Sequence, residues 1–193
     1  MTNTCRLPIM VGGEACLRGE KNLKNSVVIS IRPEWCRKIL RGEKTLEVRK
    51  TKPNLDMPFK CYIYCTLSGS REFFQNDLKS DANLWYGEKW YDRKGNVVGE
   101  FTCNKLYLYS AIWKGRNSIS DHDMLSRSCL TTDEIVKYEY GNAEVNVKTM
   151  TLKCGVWAWD ISDLVLYDNP IPLGELGIKR APQSWAYCEE LAA

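Results

Sequence analysis

The sequence has little of what common metal and redox centres require. It contains one histidine, His122, and no two of its nine cysteines have the two-residue separation of a zinc knuckle or a redox motif. The number of cysteines is odd and they are scattered along the chain, which disfavours a disulfide framework. We therefore expect reduced, mostly buried thiols, a solvated His122, no metal site and no cofactor.

Long apolar segments are also missing. No apolar run approaches the roughly 20 residues that span a bilayer. Residues 1–26 lack the apolar stretch of a signal peptide, because Arg6, Pro8, Glu14 and Arg18 interrupt them. The sequence therefore predicts an intracellular, cytoplasmic protein with no membrane partner.

What the chain does contain is the composition of one globular domain. It has 193 residues, 44% of them hydrophobic and 26% charged, and shows no internal repeat or low-complexity segment. Residues 1–25 are polar and without sustained periodicity, so we interpret them as an N-terminal extension. The domain itself is expected over residues 26–193, with an insertion around residues 68–95.

Positive charge is concentrated in the first third of the chain. Residues 1–60 hold 13 Lys and Arg against 6 Asp and Glu, whereas residues 61–193 hold 14 against 18. The excess is greatest within residues 32–52, which carry eight cations and three glutamates. A basic stretch in a chain of net charge +3 favours a local anionic partner, with a merely solvated cationic surface as the alternative.

Hydrophobic patterning predicts about five strands and two helices. One helix is expected directly after Arg32, with Pro33 in its first turn and Gly42 at its end, and a second begins at Thr131 or Thr132. The expected strands cover residues 27–31, 43–52, 59–67, 96–110 and 154–170, and residues 111–129 are expected to form a loop. This order of elements indicates an α+β fold or a small mixed β-barrel with flanking helices.

The most informative stretch runs from Gly42 to Arg49. Strand alternation places Glu47 and Arg49 on the face opposite the apolar residues, whereas Lys44 lies at the helix–strand junction and can turn either way. If the three converge, Arg49 can grip an anion or a base edge, Glu47 can accept from an exocyclic amine, and a desolvated Lys44 can act as a base. From spacing alone, a surface ion pair between Glu47 and Arg49 is the simpler interpretation.

Aromatic residues supply candidates for stacking on a base. Trp185, in the C-terminal segment, is a candidate for the site, and Ser184 before it can provide a hydroxyl. Trp157 and Trp159 lie in a strand-like run and are expected in the core. Four further candidates lie in the insertion: Trp85, Tyr86, Trp90 and Tyr91.

Five segments in order resemble the ASCH domain family of the PUA-like superfamily, and most of all its bacterial and phage-associated branch. They are ISIRPEWCRKILRGEKTLEVRK, PFKCYIYCT, GNVVGEFTC, WAWDISDLVLYD and RAPQSWAY. The resemblance extends from about Val27 to Tyr187, and Gly42, Lys44, Glu47 and Arg49 match the family's G-x-K-x-x-E-x-R signature. It implies a small β-barrel with a cleft at the signature.

The resemblance also implies functions. Family members bind RNA or nucleotide-like ligands; some hydrolyse N(4)-acetylcytidine with a Lys, a Thr and a Glu, and one is a ribonuclease. Lys44 matches the hydrolase lysine, but Glu47 occupies the position of the hydrolase threonine, with Thr45 close by. Glu134 is the nearest candidate for the hydrolase glutamate.

Three functions are therefore open. The first is a domain that binds RNA, a nucleotide or a modified nucleoside through Arg49, Lys44, Glu47, Ser184 and Trp185. The second is an amidohydrolase of acylated cytidine in which Lys44, Glu47, Thr45 and Glu134 act without a metal, or a ribonuclease. The third is a protein-docking role for the insertion.

Overall fold

A computed structural model of the chain describes residues 25–67, 94–110, 118–141, 144–146, 151–153 and 155–191. This part contains ten strands and three α-helices. The strands are β1 (Ser26–Ile31), β2 (Leu46–Arg49), β3 (Phe59–Cys65), β4 (Val97–Cys103), β5 (Leu106–Tyr109), β6 (Glu144–Asn146), β7 (Thr151–Lys153), β8 (Val156–Asp160), β9 (Ser162–Ile171) and β10 (Trp185–Cys188). The helices are α1 (Pro33–Leu40), α2 (Asp121–Ser128) and α3 (Thr132–Tyr140).

The strands form a five-stranded sheet, a three-stranded sheet and a hairpin. The five-stranded sheet has the order β10-β1-β3-β4-β9, in which β1 and β3 are parallel and the other pairs are antiparallel. The three-stranded sheet is antiparallel with the order β2-β8-β5, and β6 pairs with β7. The α+β class is thus confirmed, while among the described strands the pairings define separate sheets and no closed barrel is seen.

The β1–α1–β2 unit follows the local sequence closely. All six residues of β1 are buried, as the β-branched run predicts. Pro33 occupies the first turn of α1, where backbone N–H groups have no partner within the helix, so the N–H that proline lacks is not needed. Cys36 and Ile39 of the same helix are buried. Gly42 has φ 72°, a left-handed conformation that favours glycine and redirects the chain towards β2.

Both faces of β2 are covered. Leu46 and Val48 pack in an apolar cluster with Met124 of α2 and Ile135 of α3. The opposite face carries Glu47, whose cross-strand partner Trp159 is fully buried in the main core cluster, and directly opposed residues of an antiparallel pair share a face. The charged face of β2 is therefore interior rather than solvated.

Two expected long strands are each divided. The run 96–110 forms β4 and β5, and the run 154–170 forms β8 and β9, with Ile161 between them. In both cases the two halves belong to different sheets, so the chain must change direction where it crosses. Gly99 lies within β4, and the pairings of β4 with β3 and β9 shift register around it.

The expectation of a loop over residues 111–129 is wrong for its second half. Residues 121–128 form α2, because the Ser120 hydroxyl accepts from the Asp123 backbone N–H and Asp121 and Asp123 occupy the first turn. His122 lies on α2 with 89% of its side chain exposed, which confirms that it is solvated.

Other sequence expectations can be placed only in part. The six described cysteines are free thiols, five of them buried. Most of the N-terminal extension and nearly all of the insertion, including its four aromatic candidates, lie outside the described residues. Within the described part, no helix is long and apolar enough to cross a membrane.

Candidate ligand-binding site

A cavity of about 640 Å³ lies between β1 and β2, with α1, α3 and the segment before β10 around it. Its wall combines charged, aromatic and small polar side chains. The lining residues are Ser30, Ile31, Arg32, Trp35, Lys44, Glu47, Val48, Arg49, Lys50, Thr66, Leu130, Glu134, Lys137, Tyr138, Pro182 and Gln183. All three residues of the Lys–Glu–Arg signature thus face one space.

Lys44 is a buried ammonium group with three kinds of partner. The residue is only 3% exposed; its Nζ donates to the Ser128 carbonyl at 2.7 Å and lies 3.4 Å from Glu47 Oε2. The same atom is 5.2 Å from the centre of the Trp35 ring, within range of a cation–π contact. Burial lowers the pKa of Lys44, and the carboxylate of Glu47 opposes that shift.

Glu47 is shared between two cations. Its Oε1 lies 3.1 Å from Arg49 Nη2, which also donates to the Ser30 carbonyl at 2.6 Å. The Glu47 and Arg49 side chains are 7% and 13% exposed. Within the described residues, Glu47 Oε2 and Arg49 Nε have no hydrogen-bond partner. The surface ion pair suggested by spacing is therefore a buried cluster of two cations and one carboxylate, and each of these charges is costly to desolvate.

The three side chains converge because Lys44 precedes the strand. Gly42 turns the chain, the Lys44 N–H bonds the Lys38 carbonyl at 3.1 Å, and β2 begins only at Leu46. The alternation rule that separates Lys44 from Glu47 applies only within a strand, so it does not hold here. The sequence left the orientation of Lys44 open, and the helix–strand turn decides it.

Thr45 points away from the cavity and towards α2. Its hydroxyl accepts from Arg127 Nε at 3.1 Å, its backbone N–H donates to the Arg127 carbonyl, and it is not among the lining residues. Arg127 in turn donates through Nη2 to Asp160 at 2.6 Å. Sequence reasoning missed α2 and Arg127, although Ser120 followed by Asp123 is a recognisable helix start.

Glu134 lines the cavity from α3, but its carboxylate is committed to the helix end. Oε2 accepts from the Thr131 N–H at 2.8 Å and from its hydroxyl at 2.9 Å, completing a capping box. These hydrogen bonds lower the pKa of Glu134, so the group is an anion at neutral pH. It shares the cavity with Lys44 without a direct ion pair.

Ser184 and Trp185 support the wall from outside the cavity. The Ser184 carbonyl accepts from the Ser30 N–H at 2.9 Å, and Trp185 Nε1 donates to the Thr51 hydroxyl at 3.0 Å. Neither is a lining residue, whereas the neighbouring Gln183 is. In this structure the indole of Trp185 faces loop and core side chains rather than the cavity.

Comparison with known proteins identifies the fold. No protein-family model matches the chain, and no curated protein does. The structure is similar to the crystal structure of ASCH from Zymomonas mobilis, with a TM-score of 0.54 and 18% identity over 85% of this chain and 87% of that chain. The crystal structure of a serine-to-alanine variant of the Zymomonas mobilis protein is also similar. Its TM-score is 0.52, with 17% identity over 85% of this chain and 88% of that chain.

The class defined by fold and site is thus an α+β domain with a charged, partly buried cavity at its helix–strand turn. More narrowly, the chain has the ASCH fold. The resemblance inferred from five sequence segments is confirmed in the fold.

Proposed function

We propose that the chain is an ASCH-type binding domain whose cavity takes RNA, a nucleotide or a modified nucleoside. The observation that carries the proposal is the buried cluster of Lys44, Glu47 and Arg49 on the wall of a cavity of about 640 Å³. Protein sites for small ligands are typically about 300–1,000 Å³. Buried ionic groups cost stability, so a functional reason for keeping them is expected.

The polar groups of the cluster suit a heterocyclic base. Glu47 accepts hydrogen bonds from N–H groups, and the planar guanidinium of Arg49 donates to carbonyl or ring-nitrogen acceptors. Trp35 and Tyr138 add aromatic surface to the same wall. A ligand with both donors and acceptors on a flat ring is therefore favoured over an aliphatic one.

A binding experiment with matched variants tests the proposal. Binding of a fluorescently labelled single-stranded RNA is followed by anisotropy at increasing salt for wild type, Lys44→Met and Arg49→Met. Exposed Lys179→Met is the control, and circular dichroism verifies folding. We expect salt-sensitive binding and about a tenfold or greater loss in the two cavity variants only. Equal affinity in all four folded proteins contradicts the proposal.

The second candidate is an amidohydrolase acting on acylated cytidine. It is favoured by one observation, the lowered pKa of Lys44 next to Glu47, since a lowered pKa makes it easier for the ammonium group to lose its proton and then to act as a base towards water. That water attacks the amide carbonyl, the carbon–nitrogen bond breaks, and the proton passes to the departing amine. Thr45 faces Arg127 and Glu134 caps α3, so Lys44 and Glu47 are the two candidates for this chemistry.

Acetate release from N(4)-acetylcytidine distinguishes the two candidates. Turnover that is lost in Lys44→Ala and kept in Thr45→Val makes the chain a hydrolase. No turnover in concentrated wild-type protein that binds RNA leaves the binding function alone. Gel analysis of the same RNA samples tests the ribonuclease alternative.

A further inference from the structure

Three cations of the cavity wall lack a carboxylate partner. Arg32, Lys50 and Lys137 are exposed lining residues, and none forms an ion pair with any of the described residues. Glu134, three residues before Lys137 on the same wall, accepts its hydrogen bonds from Thr131. The wall therefore has positive charge that the described part of the protein does not neutralise.

Two of these cations come from different elements of the wall. Glu134, Lys137 and Tyr138 recur at helical spacing, so α3 turns one face to the cavity. Lys50 follows β2 and places its Nζ 5.0 Å from the centre of the Tyr138 ring. A lysine above an aromatic face keeps its N–H donors free for another acceptor.

The inner part of the cavity is less suited to an anion. Glu47 lies there between Lys44 and Arg49, so a negatively charged group at that depth meets a carboxylate as well as two cations. An anion is better stabilised by cations that have no carboxylate partner. The charge pattern thus separates an inner end, where Glu47 pairs with both cations, from an outer wall that carries three cations and one carboxylate, Glu134, hydrogen-bonded to Thr131.

Resting on the proposed function, we propose that Lys50 and Lys137, with Arg32, form a phosphate subsite. The ligand then places its base at the inner cluster and its phosphate against the outer wall. The phosphate belongs either to a free nucleotide or to one nucleotide of an RNA strand, and both sources present the same oxygens. A neutral nucleoside lacks the group that this wall binds.

Calorimetric titration with the four ribonucleosides and their 5′-monophosphates tests the subsite. We expect at least one monophosphate to bind about tenfold or more tightly than its nucleoside, because charge-assisted hydrogen bonds are the strong ones. Equal affinities for nucleoside and monophosphate overturn the phosphate subsite while leaving the proposed function intact. No binding of nucleosides, N(4)-acetylcytidine, monophosphates or RNA overturns both.

Variants locate the effect. Lys50→Gln combined with Lys137→Gln should bring the ratio of nucleoside Kd to monophosphate Kd close to one, while Lys179→Gln should leave that ratio unchanged. A preference that persists in the double variant overturns the assignment to these residues. A trinucleotide separates the two sources: affinity well above that of the monophosphate indicates a strand, and equal affinity indicates a free nucleotide.

Discussion

Lys44 is held between opposing electrostatic effects. Burial disfavours its ammonium form, whereas the Glu47 carboxylate and the Ser128 carbonyl favour it. Glu47 must also serve Arg49, so the cluster has one more positive charge than negative charge. Substitutions of the three residues should therefore differ in their effect on stability. Loss of the carboxylate leaves two buried cations without a counter-charge, whereas loss of one cation leaves one cation paired with one carboxylate.

We predict that Glu47→Gln destabilises the protein more than Lys44→Met does. The first substitution leaves Lys44 and Arg49 as uncompensated buried charges, which costs about 3 kcal/mol. The second removes the excess cation and keeps an apolar stem beside Trp35. Urea unfolding of the three proteins measures the difference, and an equal or larger loss for Lys44→Met contradicts the charge argument.

At the scale of elements, the end of α2 holds the segment that carries Lys44. Cys129 has φ 58°, which ends the helix and leaves the Ser128 carbonyl at the negative end of its dipole. The neighbouring Arg127 bonds both Thr45 and Asp160. The protonation of Lys44 thus depends on a helix distant in sequence.

We expect Arg127 to act as a positioning residue. Arg127→Met removes the side-chain bonds to the Thr45 hydroxyl and to Asp160 and keeps the backbone bond to Thr45, so the Ser128 carbonyl is held less firmly and the pKa of Lys44 falls further. The loss of stability should be only about 1 kcal/mol, because the ion pair is partly exposed. Titration of the labelled Lys44 side chain by NMR measures the shift. Arg180→Met is the control, and an unchanged Lys44 titration in Arg127→Met contradicts this role.

The bulge between β4 and β9 depends on one glycine. A Cβ atom at Gly99 would lie 2.4 Å from the Val165 carbonyl oxygen, closer than atoms can approach. Gly99→Ala should therefore cost about 1–3 kcal/mol through backbone displacement. Gly174→Ala is the matched control, because nothing lies within 4 Å of its Cβ position. Denaturant unfolding checks both, and equal stability of the two variants rules out this steric account.

At the scale of the whole molecule, buried thiols make stability depend on alkaline pH. Burial raises the pKa of Cys36 and Cys61 well above the usual range and that of Cys103 to about 12. In the unfolded chain these thiols ionise near pH 8.5, so the unfolded state loses protons first. The buried thiols contribute fully to the free energy of unfolding below about pH 8.5, and this contribution is lost as the pH rises towards about 12.

We predict that the free energy of unfolding decreases between about pH 9 and 11. In this range each thiol decreases the free energy of unfolding by about 1.4 kcal/mol per pH unit. Lys44, whose pKa is lowered, is a single group with the opposite effect on the free energy of unfolding. Urea unfolding in reducing buffer at several pH values measures the slope. Stability that is constant over this range contradicts the prediction, and Cys103→Ala should reduce the slope by about 1.4 kcal/mol per pH unit, the contribution of one thiol.

The sequence by itself determined several local elements and the residue types of the candidate site. Some features act through neighbours only a few residues away, so they can be predicted without knowledge of the fold. They are the β-branched run of β1, Pro33 and Gly42 around α1, and the Thr131 cap of α3. The signature also placed Lys44 among the site residues.

Only the tertiary structure decided how those residues are used. The Lys44–Ser128 and Thr45–Arg127 hydrogen bonds join residues 84 and 82 positions apart, and they turn Lys44 into the cavity and Thr45 out of it. The second face of β2 is covered because another sheet packs there, which alternation cannot reveal. Local sequence patterns predict on which side of the backbone a side chain lies. The groups that the side chain contacts come from distant segments, and those contacts set its burial, its charge state and its access to solvent.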